Sequence, residues 1–147
     1  MILSLSIFLI VISVIGALLE VQIEGKDGWA GKLPTWRAKN KVISYIFGEY
    51  ELTGYALYMN LFVMLLLHFP FILGVRWSSS FELKVLAFYL FFWLLEDFFW
   101  FVFNPHFGIK KFNKESIPWH RSWILGLPKS YYVFFVGGMI SFALSYL

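Results

Sequence analysis

Four long apolar stretches alternate with polar and aromatic loops along the chain. The apolar stretches cover residues 2–23, 55–73, 83–103 and 131–147. A helix needs about 20 apolar residues to cross the hydrocarbon core of a bilayer, and the four stretches have or approach that length. The pattern therefore predicts an all-α protein, namely an integral membrane four-helix bundle in a single transmembrane domain.

The composition favours lipid over water as the solvent of the helices. Hydrophobic residues make up 60% of the chain and charged residues 14%. Soluble domains have about 45–50% apolar and about 25% charged residues, and a small domain cannot hide a large apolar excess from water. The chain has no cysteine, which excludes disulfides and thiolate metal sites.

Lysine and arginine residues are concentrated in two of the three loops. Of the 12 basic residues, five lie in the loop 24–54, five in the loop 104–130, and two near the connection between the second and third predicted helices. Basic loops are retained on the cytoplasmic side of a membrane. We therefore expect both long loops to be cytoplasmic and both termini to lie outside the cytoplasm.

Both long loops interleave tryptophan, tyrosine and phenylalanine with lysine and arginine. Such segments lie at the headgroup level, with rings toward the acyl chains and cations toward the phosphates. Within the first loop, residues 41–50 are predicted to form a short interfacial helix. The expected partners are membrane lipids. Nucleic acid is not expected, because the basic residues lie where the topology requires them.

Glu96 and Asp97 stand side by side inside the third predicted helix, which is otherwise apolar there. Ionisable groups within a membrane span are costly and commonly mark a functional site. The pair lies about seven residues from the inner end of the helix, and thus roughly 10 Å below the boundary. A protonated carboxyl group can donate a proton and an ionised neighbour can accept one. The alternative is a structural lock with a partner from an inner loop.

Other polar and aromatic residues are predicted near the depth of this pair. The candidate acid–base residues are Glu96, Asp97, Glu20 and His120. The candidate ligand-binding residues are Asn60, Trp93, Trp100, Asn104, Arg37 and Arg121. The two arginines are included because a guanidinium group can bind a lipid phosphate with two parallel hydrogen bonds.

A metal site is an alternative interpretation of the acidic and histidine residues. Carboxylate and imidazole groups are ligands of iron, manganese and zinc, and the candidate ligands are Glu20, Glu24, His106 and His120. The chain has no Glu-x-x-His or His-Glu-x-x-His spacing, however. The preferred interpretation has His106 and His120 in the interface, and the sequence identifies no cofactor.

The acidic pair, the aromatic residues after it and Asn104 resemble a segment of the small membrane lycopene cyclases. The resemblance covers residues 96–104 and implies a metal-free enzyme that protonates a polyene. That family has a proline before the acidic pair, where this chain has Leu94 and Leu95. The chain is therefore not assigned to that family.

Three hypotheses for the function follow from the sequence. The first is a membrane-embedded enzyme or lipid-binding protein that handles an amphiphilic substrate with buried carboxylates as its acid–base centre. The second is a small proton-coupled transporter or channel, which would have to act as a homo-oligomer because four short helices are too few for a pathway. The third is a non-catalytic subunit of a larger membrane complex.

Overall fold

The computed structural model describes residues 2–47 and 51–147 and is mostly helical. In chain order the elements are α1 (Ile2–Glu24), β1 (Arg37–Lys39), α2 (Lys41–Phe47), β2 (Glu51–Thr53), α3 (Gly54–Leu67), α4 (Phe69–Ile72), α5 (Ser79–Phe103), a 3₁₀ turn (Ile109–Lys111), β3 (Trp123–Ile124), β4 (Leu127–Pro128) and α6 (Lys129–Leu144). By length and composition, α1 and α5 are candidate membrane spans.

The helices that correspond to the four predicted spans differ in length. Helices α1 and α5 have 23 and 25 residues, whereas α3 and α6 have 14 and 16. At ~1.5 Å per residue, α1 and α5 are longer than the roughly 30 Å hydrocarbon core, and α3 and α6 are shorter. The structure thus gives two helices that could cross a membrane, together with two shorter apolar helices packed beside them.

The predicted helix over residues 55–73 is divided in two. Helix α3 ends at Leu67, His68 caps it, and α4 begins at Phe69. Pro70 is in the first turn of α4, where the absence of an amide hydrogen costs no hydrogen bond. The same proline could not continue the hydrogen-bond ladder of α3, which explains why the helix is not continuous.

Helix α5 is the centre of the fold and packs against both α1 and α6. Helices α1 and α5 run parallel, because the ring of Phe8 lies beside Phe88 and the Ser13 hydroxyl donates to the Phe92 carbonyl oxygen at 3.5 Å. Ser13 and Ala17 are fully buried in this contact. Small residues at this face allow the two helices to approach closely.

Helix α6 runs antiparallel to α5 on its other side. The Ser80 hydroxyl at the start of α5 donates to the carbonyl oxygen of Ser145, at 2.6 Å. A β-carbon on Gly138 would lie 2.8 Å from the ring of Phe91, so the glycine is needed for the close contact. The buried Ser141 continues the same stripe of small residues.

Helix α3 is also antiparallel to α5. The Asn60 side chain accepts a hydrogen bond from the Tyr89 hydroxyl, and farther along α3 the His68 ring contacts Glu82. Helix α3 makes fewer contacts with α5 than α1 and α6 do. Space therefore remains between α3 and α5. It lies near the C-terminal ends of α1 and α5, and we call this end of the molecule the loop end.

The two long loops, over residues 24–54 and 104–130, contain short strands, which the sequence pattern did not predict. Strands β1 and β2 pair antiparallel, and so do β3 and β4. The turn between β3 and β4 has positive φ at both Leu125 (46°) and Gly126 (84°), as in a two-residue hairpin turn of type I′. A short helix is present in this segment as α2, and residues 48–50 of the predicted helix lie outside the described residues.

The buried core lies at the loop end, where the two long loops cover the helices. Its members are Ala17, Val21, Trp100, Phe101 and Ile117. Away from this core the outer faces of the helices expose large apolar side chains, such as Leu3 and Leu65, each 72% exposed, and Ile140, 54% exposed. Soluble proteins rarely expose apolar patches of this extent, and such patches mark membrane or protein contacts.

Candidate functional site

A cavity of about 370 Å³ lies at the loop end, between α1, α3, α5, α6 and the two long loops. Its volume is within the range of pockets that hold small molecules. Its polar and aromatic lining residues are Glu20, Glu24, Glu51, Glu96, Asp97, His120, Asn60, Thr53, Ser130, Tyr55, Tyr89, Tyr131, Trp29, Trp93, Trp100, Trp119 and Phe134. We call this space the central cavity.

Most of the residues selected from the sequence line this cavity. The four candidate acid–base residues, Glu96, Asp97, Glu20 and His120, all do so. Of the candidate ligand-binding residues, Asn60, Trp93 and Trp100 line it, whereas Asn104, Arg37 and Arg121 lie elsewhere. His68, the third histidine, is at the far end of α3 and does not line the cavity.

Asp97 contacts one residue of α6 and one residue of the loop 104–130. Its Oδ2 accepts a hydrogen bond of 2.6 Å from the Tyr131 hydroxyl and lies 3.3 Å from His120 Nε2. His120 is only 4% exposed, and its carbonyl oxygen accepts a 2.5 Å hydrogen bond from the indole of Trp123. The Asp97 side chain is partly exposed, and the imidazole beside it is buried, so the carboxylate offsets the cost of burying the imidazole. The arrangement fixes the position of the Asp97 oxygen.

Glu96 is turned toward α1 and is 3% exposed. A β-carbon on Gly16 would lie 3.2 Å from Glu96 Cγ, so the glycine leaves room for this side chain. Glu20 lines the same cavity from α1, so the carboxyl groups of Glu20 and Glu96 border the same space. Among the described residues, none donates to Glu96 Oε1.

The two adjacent carboxyl groups thus belong to different walls of the same cavity. Successive residues of a helix point about 100° apart, so Glu96 meets α1 while Asp97 meets α6. The Tyr55 hydroxyl donates to Glu20 Oε1 at 3.1 Å and links the first wall to α3. The cavity therefore contains a carboxyl pair on one side and a Tyr–Asp–His group on the other.

Glu24 and His106 do not complete a metal site. Glu24 Oε1 accepts a 2.5 Å hydrogen bond from the amide of Ala30, which closes the loop after α1. His106 is exposed, whereas His120 is buried. Within residues 2–47 and 51–147, no group of three or more histidine, aspartate or glutamate side chains is arranged to hold a metal ion. The geometry gives the metal hypothesis no support.

Asn104 has a structural position, although the sequence pattern placed it among the ligand-binding residues. It is 1% exposed, and its amide nitrogen donates to the carbonyl oxygen of Gly25 at 2.6 Å. Its side-chain oxygen accepts from the amide of His106 at 3.0 Å. Asn104 therefore joins the end of α5 to the end of α1 and fixes the first turn of the second loop.

Arg37 and Arg121 share a second, more open hollow of about 330 Å³ at the loop end. The other residues that line it are Asp27, Gly28, Trp29, Gly31, Glu51, Pro118 and Trp119. We call this space the arginine hollow. Trp29, Glu51 and Trp119 also line the central cavity, so these three residues separate the two spaces.

Several lining residues were not selected from the sequence, notably Tyr131, Tyr55, Trp29 and Trp119. Tyr131 is the first residue of the fourth predicted span, and an antiparallel helix that begins at the inner boundary reaches the depth of Asp97 within its first turns. That depth was the signal that could have identified Tyr131. The two tryptophans were interpreted as headgroup anchors, and nothing in their spacing distinguishes an anchor from a cavity wall.

No protein-family model, curated protein or solved structure matches the chain. Its function must therefore be inferred from the geometry of the central cavity and from the place of that cavity at the loop end.

Proposed function

We propose that the protein is a membrane-embedded enzyme that transfers a proton to or from an amphiphilic substrate held in the central cavity. One observation carries the proposal. The cavity is bordered on one side by the Glu20–Glu96 carboxyl pair and on the other by Asp97 bound to Tyr131 and His120. Such a pair of groups can supply a proton on one face of a substrate and remove one from the other.

The proposed roles follow from the partners of each carboxyl group. In this proposal Glu20 and Glu96, which line the cavity from α1 and α5, are the acid. Asp97 is the base, because its Oδ2 is positioned by the hydrogen bond from the Tyr131 hydroxyl and by His120 Nε2 at 3.3 Å. General acid–base catalysis of this kind contributes about 10²- to 10⁴-fold to a rate.

The packing of the helices supports a multi-pass arrangement. Helices α1 and α5 are parallel, so if both cross the bilayer they cross it in the same direction. The chain must then return between them, and α3 with α4, antiparallel to α5, is the segment placed to do so. Helix α6 would make a fourth crossing. With the basic loops in the cytoplasm, both termini would lie outside it.

The lining of the cavity supports an amphiphile rather than a soluble metabolite. Its walls are largely apolar and aromatic, while its acidic groups are concentrated at the loop end. The apolar faces exposed on the surrounding helices support a position within acyl chains. An amphiphile could enter from the bilayer without passing through water.

The proposal can be tested before the substrate is identified. Purified full-length protein in nanodiscs is incubated in D₂O with a total lipid extract of its source membrane, and the lipids are analysed by mass spectrometry. We expect a lipid species to be converted, or to gain deuterium at carbon, with the unaltered chain. Glu96→Gln and Asp97→Asn should each lower this conversion by about 100-fold or more.

Glu82→Gln is the matched control, because Glu82 is a carboxylate on the same helix outside the cavity. It should leave conversion unchanged. Equal lipid profiles with and without the protein would overturn the enzyme proposal. Proton flux through a dimer without lipid conversion would replace it with the transporter hypothesis. Stable co-purification with other membrane proteins, again without conversion, would replace it with the subunit hypothesis.

A further inference from the structure

We infer that the arginine hollow is the head-group subsite of the same substrate, and that it binds a phosphate group. This inference rests on the proposed function, since it assumes that the central cavity holds the rest of the molecule. It specifies the substrate class as a phosphate-bearing amphiphile whose reacting atoms lie well away from the phosphate.

The charges around the hollow favour an anion. Two guanidinium groups, those of Arg37 and Arg121, line it. The acidic residues that line it are Asp27 and Glu51, and Asp27 is already paired with Lys32 at 3.2 Å. The lining thus carries two guanidinium groups and two carboxylates, and Lys32, outside the lining, neutralises one of the carboxylates. A phosphate oxygen would be met by charge-assisted hydrogen bonds, which are about twice as strong as neutral ones.

Arg37 is held in a defined position that leaves donors for a ligand. Its Nη2 donates to the carbonyl oxygen of Ala30 at 2.6 Å and reaches that of Trp29 at 3.5 Å. A guanidinium group has five N–H donors, so this anchoring uses a minority of them. The anchored side chain loses less entropy on binding than a mobile one.

The hollow and the central cavity are neighbours, with the hollow farther toward the loop end. Trp29 and Trp119 line both spaces, and Trp29 is fixed by a 3.1 Å hydrogen bond from its indole to the carbonyl oxygen of Glu51. Glu96 is seven residues, or roughly 10 Å, inside the end of α5. A molecule with its phosphate at the arginines would therefore pass the two tryptophans before it reached the acid–base groups.

This separation limits the class of reaction. A phosphate bound in the hollow is separated from Glu96 and Asp97 by Trp29 and Trp119, which line both spaces. The proton transfer would therefore occur in the chain of the amphiphile and not at phosphorus or at its ester oxygen.

Binding of a short-chain lipid to the full-length protein in detergent tests the inference. The probes are dioctanoyl phosphatidic acid, dioctanoylglycerol, which has the same chains without phosphate, and glycerol 3-phosphate, which has the phosphate without chains. We expect phosphatidic acid to bind at least tenfold more tightly than either of the others. Arg37→Gln and Arg121→Gln should each weaken its binding by about tenfold or more.

Lys39→Gln is the matched control, because Lys39 is an exposed cation on the strand of Arg37 that does not line the hollow. It should bind phosphatidic acid as the unaltered chain does. Arg37→Lys is a second variant, which keeps the positive charge but loses the two-pronged guanidinium group. It serves as a check if Arg37→Gln disturbs the loop, and its affinity for phosphatidic acid should lie between those of Arg37→Gln and the unaltered chain. Equal binding of dioctanoylglycerol, or equal effects of Lys39→Gln and the arginine variants, would overturn the inference.

Equal affinity for glycerol 3-phosphate would also overturn it, because the ligand would then be a soluble phosphate. The binding assay involves no turnover, so its outcome is separate from that of the lipid-conversion assay. Lost conversion in Glu96→Gln with unchanged binding in the arginine variants would reject the subsite alone. Phosphate-dependent binding without any conversion would reject the enzyme alone.

Discussion

Gly28 sets the position of Trp119, which borders both the central cavity and the arginine hollow. Its φ is +58°, and a β-carbon there would lie 2.6 Å from carbon atoms of the Trp119 ring. An L-residue in the left-handed region costs roughly 1–2 kcal/mol, and displacing a packed ring adds to this. We expect Gly28→Ala to lower the free energy of unfolding by about 2 kcal/mol or more. Denaturant titration of the protein in detergent micelles measures this change.

Gly25 supplies the control for that measurement. Its φ is +60°, and nothing lies within 4 Å of a β-carbon built on it. Gly25→Ala therefore carries the backbone cost without the clash and should lose roughly 1 kcal/mol. If the two variants lost the same stability, the ring of Trp119 would not be held by its contact with Gly28.

The functional residues could be selected from the sequence only where their chemistry was unusual for their surroundings. Glu96 and Asp97 were found because carboxylates are rare in an apolar helix. Tyr131, the partner of Asp97, stands in a helix that is apolar on most faces, so the pattern does not say which face turns inward. Asn104 was assigned to the ligand because its depth was suitable, but its side chain is occupied by two backbone groups.

His68 links three elements at the end of the molecule opposite the cavity. Its Nδ1 lies 2.7 Å from the Met64 carbonyl oxygen and its Nε2 lies 2.9 Å from Glu82 Oε1. Both partners only accept, so both contacts form together only when the ring carries two protons. The α3–α4 junction is therefore bound to the start of α5 more firmly at low pH.

Stability should fall as the pH rises through the pKa of His68 in the folded protein. The unfolded chain has a histidine pKa of about 6.5. The contribution of the imidazolium contacts to stability is therefore complete below that pH and is lost as the pH rises above it. The pair is about one-third exposed, and we expect a decrease in Tm of only about 1–3 °C. Thermal scans at pH 6 to 9 are run on the unaltered chain and on His68→Gln. The decrease in Tm caused by His68 is the difference between the two proteins.

Glu82→Gln should reduce the same pH dependence, since it removes the carboxylate that stabilises the imidazolium. All other titrating groups are shared by the three proteins and cancel in the comparison. Equal slopes of Tm against pH in the unaltered chain and His68→Gln would show that the imidazolium contacts do not contribute to stability.

At the scale of elements, the sequence predicted the long helices well and the short elements poorly. Helices α1 and α5 were found because their apolar runs exceed the length needed to cross a bilayer. Strands β1 to β4 have two or three residues each, too few to show an alternating pattern. The break at His68 was missed because Pro70 lies in an unbroken apolar run, where hydropathy carries no information on hydrogen bonding.

For the whole molecule, the depth of each residue along its helix predicted the grouping of Glu20, Asn60, Glu96 and Asp97 around one space. Because the rise per residue is fixed, the depth of a residue follows from its position in the sequence. The rotation of each helix about its axis does not follow in this way, because lipid removes the polar–apolar contrast between outer and inner faces. The shape of the cavity and the identity of its tyrosine partners depend on that rotation.

The parallel packing of α1 and α5 makes the number of crossings testable, and the absence of native cysteine makes the test clean. Single cysteines are introduced at the exposed positions Ala38, Ser79 and Glu115. Four crossings require Ala38→Cys and Glu115→Cys to be labelled from the cytoplasmic side by a membrane-impermeant maleimide, and Ser79→Cys from the other side. If only α1 and α5 crossed the membrane, Ser79→Cys would be labelled from the same side as Ala38→Cys. Glu115→Cys would then be labelled from the opposite side.

The position of Glu115→Cys decides between these arrangements. Labelling on the side opposite Ala38→Cys would mean that α1 and α5 cross in opposite directions, which is incompatible with the contact of Phe8 with Phe88 and the hydrogen bond of Asn104 to Gly25. The central cavity would then not exist in the membrane as described. Labelling on the same side keeps the ends of α1 and α5 together at one surface. If that surface is the cytoplasmic one, an amphiphile with its head at Arg37 and Arg121 would enter from the cytoplasmic leaflet.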